Sequence, residues 1–114
     1  TFIAGEDLSA AQFKFVTLES DGQVDLADSA GENAMGVCLA GAAAGAAVTV
    51  CVSGSVMVEA GGTIAAGAQI QTGADATALT AAAGDVVLGY AREAGVDGQI
   101  IEIEMIQGGN VVPA

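Results

Sequence analysis

Two stretches decide the fold: Ala47-Val48-Thr49-Val50-Cys51-Val52 and Ile100-Ile101-Glu102-Ile103-Glu104-Met105. In each, apolar residues recur at every second position. That is the period of a β-strand with one face buried, and it is not the 3.6-residue period of a helix. The two stretches also match each other. Sliding the chain by 53 residues lays 29–52 over 82–105 without a gap, bringing Gly31 onto Gly84, Gly36 onto Gly89 and Gly45 onto Gly98. Roughly half of one such glycine match is expected by chance in a window of this length. In the same frame Glu32 meets Asp85 and Met35 meets Leu88, and Val48, Val50 and Val52 meet Ile101, Ile103 and Met105. A further one-residue shift brings Val16 onto Ile70 and Asp21 onto Asp75.

Outward from these stretches, turn signals come at short intervals: Asp21-Gly22, Ala30-Gly31, Ser53-Gly54, Gly61-Gly62, Thr72-Gly73, Ala83-Gly84, Asp97-Gly98 and Gly108-Gly109. Short strands punctuated by glycine read as an all-β barrel or sandwich of about 8–9 strands, built from two related halves. The expected strands are 13–18, 23–26, 35–40, 47–53, 55–59, 68–72, 77–80, 86–92 and 98–106. Residues 1–12 read as an extended N-terminal arm, with one helical turn over Ser9–Gln12 capped by Asp7 or Ser9. Residues 13–107 form the domain and 108–114 a C-terminal tail.

The 114 residues allow one domain, and 53% of them are hydrophobic. Much of that is alanine, and the only aromatics are Phe2, Phe13, Phe15 and Tyr90. At about 25 cal/mol per Å² of buried apolar surface such a core is thin. Stability is therefore expected to draw on β-ladders and on contacts with partners, including further copies of the chain.

Fourteen carboxylates against Lys14 and Arg92 give a formal net charge of −12. Nucleic acid and anionic membranes need clustered Lys and Arg, so neither is an expected partner. No stretch approaches the ~18 apolar residues of a spanning helix. Thr1 to Asp7 has neither the basic start nor the apolar run of a signal peptide, so the chain is expected to be soluble.

The chemistry is sparse. There is no histidine, which removes Ser-His-Asp and Cys-His arrangements and His-based zinc sites. Neither GxGxxG opening a helix nor GxxxxGK[ST] is present. Asp21, Asp25, Asp28 and Glu32 do not have the spacing of a calcium loop. The expectation is no enzyme, no cofactor and no metal. Glu102 and Glu104 share a strand face, which reads as a solvated face or as an acidic strip for a basic partner. Phe2 and Ile3, outside any clear strand and followed by Glu6 and Asp7, read as an apolar tip on an acidic stem, frayed or able to dock on a neighbour by strand addition. Phe2, Ile3, Glu6, Asp7, Glu102 and Glu104 are thus the candidate partner-binding residues. A hairpin of 35–40 with 47–53 puts Cys38 directly opposite Cys51, open either to a cross-strand disulfide or to free thiols in a reducing cytosol.

The order of elements resembles a known family. Gly5-Glu6-Asp7-Leu8-Ser9 leads through Val16-Thr17-Leu18 to Asp21-Gly22-Gln23-Val24, and then to Met35-Gly36-Val37 and Ala44-Gly45-Ala46-Ala47-Val48-Thr49-Val50. Ala60-Gly61-Gly62-Thr63-Ile64-Ala65-Ala66-Gly67, Leu88-Gly89-Tyr90-Ala91 and Asp97-Gly98-Gln99-Ile100-Ile101-Glu102-Ile103 complete it. Over roughly 5–107 the chain resembles the small phage capsid decoration proteins, also called head-stabilising or cement proteins. The two cysteines and the strong acidic bias set it apart from many members. The resemblance implies a non-enzymatic protein on the outer capsid surface of a virion, assembled in the cytoplasm of the host bacterium. Its implied partners are the major capsid protein and itself, as a homotrimer that clamps neighbouring capsomers. A carbohydrate-binding or adhesive β-module displayed on a virion or cell surface is the alternative, weakened by the scarcity of aromatics for sugar stacking.

Overall fold

Ten strands make up the computed structural model, which describes residues 2–106; the expected tail over 108–114 lies outside the described residues. The strands are β1 (Phe2–Ile3), β2 (Phe15–Leu18), β3 (Val24–Leu26), β4 (Gly36–Ala40), β5 (Ala47–Cys51), β6 (Gly54–Glu59), β7 (Gln69–Thr72), β8 (Ala78–Thr80), β9 (Gly89–Ala91) and β10 (Ile100–Met105). There is no helix among the described residues. The period-two pattern acts as expected on β10, where Ile101, Ile103 and Met105 are buried and Glu102 and Glu104 are partly exposed.

The strands form two antiparallel five-stranded sheets, ordered β1-β5-β4-β2-β3 and β6-β10-β9-β7-β8. Adding five to every strand number of the first order gives the second. The register repeats as well. Phe15 pairs with Val37 and Gln69 with Tyr90; Val37 pairs with Cys51 and Tyr90 with Glu104. Each sheet curls until its ends touch, through single parallel bridges between Ala4 and Val24 and between Ala60 and Ala78. Of the nine described residues held in the left-handed region, all but Gly54 come in equivalent pairs: Phe13 with Gly67, Gly22 with Ala76, Gly31 with Gly84 and Gly45 with Gly98. A conformation costly for any side chain is thus demanded by the shared plan, even where one copy lacks glycine. At Gly36 and Gly89 a Cβ would strike the carbonyls of Cys51 and Glu104, again equivalent atoms. Each half makes its own sheet, rather than lending strands to a common barrel.

Two cores result. The smaller holds Ala4, Leu8, Ala11, Val16, Val24, Cys38 and Val48, all from the first half. The larger holds the interior of the second half together with Phe15, Ala27, Ala34 and Val37 from the first. Four backbone hydrogen bonds knit the halves: Phe15 N–H to Ala76 O (2.9 Å), Glu59 N–H to Phe13 O (2.9 Å), Gly31 N–H to Thr72 O (2.9 Å) and Val86 N–H to Gly31 O (3.1 Å).

Three expectations need correction. Phe2 and Ile3 do lie in a strand: they pair with Val48 and Ala47, and Ala4, Leu8 and Ala11 bury behind them. The N-terminal stretch is extended, but it is laid on its own domain because these apolar residues complete the smaller core. Ser9–Gln12 takes tight turns instead of a helical one, with Ala11 N–H bonded to Leu8 O and Lys14 N–H to Ala11 O, both 3.0 Å. The cysteines do not face each other. Cys38 pairs with Val50 and Cys51 with Val37, because the register shifts between Cys38 and Ala40. Both thiols are free, and burial pushes that of Cys38 up.

Candidate partner-binding surface

Two groups of acidic residues form surfaces. On the second sheet, Glu102 and Glu104 project from β10 beside Arg92. The Arg92 Nη1 lies 3.3 Å from Glu104 Oε1, and its Nε lies 4.0 Å from Glu102 Oε1. The Ser55 hydroxyl donates to Glu104 Oε1 at 3.0 Å and accepts from Arg92, while Glu93 accepts from the backbone amide of Glu102 at 2.9 Å. The strip expected from sequence is therefore partly neutralised by one of the chain's two basic residues.

The second group surrounds the first half's β2–β3 end. Glu6 accepts from the Leu26 amide at 2.8 Å, which ties the N-terminal stretch to β3. Around it opens a cleft of about 390 Å³ lined by Glu6, Thr17, Glu19, Asp25, Leu26, Ala27, Asp28, Glu32, Ala74 and Asp75. Six of these are carboxylates and none is basic. Asp25 Oδ1 is shielded from solvent and meets no donor among the described residues. Burial pushes its carboxyl above the usual range, and the charges of Glu6, Glu19, Asp21 and Asp28 add to the shift. Asp75 behaves oppositely: the Thr77 hydroxyl donates to it at 2.6 Å and holds its carboxyl low. A second cleft of about 400 Å³ adjoins the first through Thr17, Glu19 and Glu32, and continues along Leu18, Asn33, Ala34 and Met35.

Of the sequence candidates, Glu6 joins this acidic region. Asp7 is spent on a local turn, accepting from the Ser9 amide at 3.1 Å, and the Ser9 contacts hold its carboxyl low. Phe2 is half-buried against the smaller core and Ile3 is 41% exposed. Glu102 and Glu104 lie in the other half and belong to neither cleft. Of Asp21, Asp25, Asp28 and Glu32, which lie close together in the sequence, the last three line the cleft, and Glu19 and Asp75 join them from outside that group. The signal for Asp75 was its equivalence to Asp21 in the repeat. Both side chains accept the amide two residues on, from Gln23 at 3.0 Å and from Thr77 at 3.3 Å.

Such a surface can recognise positive charge, yet among the described residues no group of three or more Cys, Asp or Glu is arranged to hold a metal ion. No described helix is long and apolar enough to cross a membrane.

Among curated proteins none matches the chain. Among solved structures, the head fiber gp8.5 N base of bacteriophage phi29 superposes with a TM-score of 0.73 at 20% identity, over 92% of this chain and 90% of that one. That likeness shows a shared fold. The family model described as phage cement protein matches residues 3–105, spanning both halves, and the chain belongs to that family.

Proposed function

We propose that this chain, a capsid-associated cement protein, binds the outer surface of an assembled phage head and stabilises contacts between neighbouring capsomers. Its partners are the major capsid protein and further copies of itself, as a homotrimer, and its task is mechanical rather than catalytic. The observation that carries this reading is the family match across residues 3–105. The physical chemistry agrees. The molecule offers broad acidic surfaces suited to a basic partner, and many weak contacts repeated around a shell gain through multivalency. The family does not favour the carbohydrate-binding alternative.

Expanded shells stripped of this protein supply the test. The chain is expected to co-sediment with them at micromolar concentration and to raise the temperature at which they rupture. Sedimentation equilibrium of the free chain is expected to give three times the 11.0 kDa protomer mass. Shells that neither bind the chain nor gain heat resistance would reject the reading.

A further inference from the structure

The duplication shows what one of the two clefts is shaped to hold. In the second half, the positions equivalent to Leu18, Glu19, Glu32 and Asn33 are Thr72, Gly73, Asp85 and Val86. That slot is occupied by the Gly31 corner of the first half, whose N–H donates to Thr72 O and whose C=O accepts from Val86 N–H. A Cβ on Gly31 would run into the Asp85 carboxylate, so the slot closes tightly around the Gly31 backbone. In the first half none of the described residues fills the same slot, which forms the cleft of about 400 Å³. Thr72 and Gly73 are buried, whereas Leu18 is 46% exposed and Glu19 and Asn33 are exposed.

The halves therefore meet head to tail, and this arrangement leaves a tail socket open on the first half. All four receiving positions follow the same rule. Glu59, Thr72, Ala76 and Val86 contact the first half, while their counterparts Ile3, Leu18, Gly22 and Asn33 are exposed.

We propose that the Leu18–Asn33 socket grips the capsid. It would take a basic, glycine-bearing loop of the coat protein, whose backbone bonds to Leu18 C=O and Asn33 N–H as Gly31 bonds to Thr72 and Val86. This deepens the proposed function and rests on it. The charge of the occupant follows from the rim. Glu19 and Glu32 line the socket, and the adjoining cleft adds Glu6, Asp25, Asp28 and Asp75. A second copy fits less well. Where Phe15 fills the internal joint, its equivalent position offers only Gln69.

The test measures the affinity of the full chain for stripped, expanded cognate shells. Leu18→Lys/Glu19→Lys is compared with Val96→Lys/Asp97→Lys, an equal charge change on an exposed turn of the second half. Asn33→Trp, which fills the slot without changing charge, is the second variant. The two socket variants are expected to lose at least tenfold in affinity, and the Val96/Asp97 variant less than threefold. Thermal unfolding should remain within a few degrees of the parent for all three. Failure of the parent chain to bind shells would overturn the proposed function itself. Binding by the parent with socket variants no weaker than the control would overturn the socket alone. Conversion of an oligomer to monomers by Asn33→Trp, with shell binding retained, would assign the slot to a second copy and overturn the coat-loop occupant.

Discussion

Phe15 and Gln69 occupy equivalent positions in the two halves, each one pair away from the same glycine contact, yet Phe15 is sealed in the larger core and Gln69 faces solvent. On the receiving side the contrast reverses: Thr72 is buried and its counterpart Leu18 is exposed. One backbone plan has thus been given two surfaces. The second half has lost the aromatic plug and ends the head-to-tail series, while the first keeps an unfilled socket. Polar finishing of a terminal unit is how short repeat arrays avoid growing into filaments.

The largest expected effect comes from removing the plug. Phe15→Ala should cost about 3–5 kcal/mol, a large share of the stability of a small domain, whereas Gln69→Ala should stay within about 0.5 kcal/mol. Denaturant unfolding of the two variants measures the asymmetry, and equal losses would break it. Next comes the corner itself. Gly31→Ala and Gly84→Ala both force a side chain into the left-handed region at φ 80 and φ 84, at about 1 kcal/mol each. Only Gly31→Ala must also displace Asp85, for a Cβ at Gly84 meets nothing within 4 Å. It should lose about 1 kcal/mol more by the same measurement.

Asp25 and its counterpart Leu79 sharpen the comparison electrostatically. Because the folded carboxyl is raised above its unfolded value, the folded state holds the proton more tightly. The contribution to stability is full at acid pH and is lost as pH rises through the folded value. Asp25→Asn should therefore raise the melting temperature by a few degrees at pH 7, and the gain should vanish at acid pH below about 4, the ordinary aspartate range. A gain that persists in acid would point to packing instead. The smallest effect belongs to Arg92, which stands where the first half has Leu39. Its pairs with Glu102 and Glu104 are about half exposed, so Arg92→Ala should cost at most about 1 kcal/mol, less at high salt.

Much of this plan was legible in the residues. Alternation in 98–106 and the match of 29–52 with 82–105 marked strands and duplication, because period two and glycine turns are local properties. β1 was not legible: two residues carry no period, and Phe2–Ile3 becomes a strand only against Val48 and Ala47. The cysteine register failed for a related reason, since a shift between Cys38 and Ala40 leaves no mark in composition. The acidic cleft joins Glu6, Glu19 and Asp75 from distant segments, which only the fold brings together. The socket lay within reach, however. Phe15 aligns with Gln69 once the repeat is set, and that difference in apolar character marks a joint made only once.

A cryo-electron reconstruction of expanded shells saturated with the chain tests the central claim most directly. Density for the two-halved molecule is expected on the outer surface, bridging capsomers, with the Leu18–Asn33 face turned toward the coat. Bare shells, or decorated shells with that face turned to solvent, would contradict it.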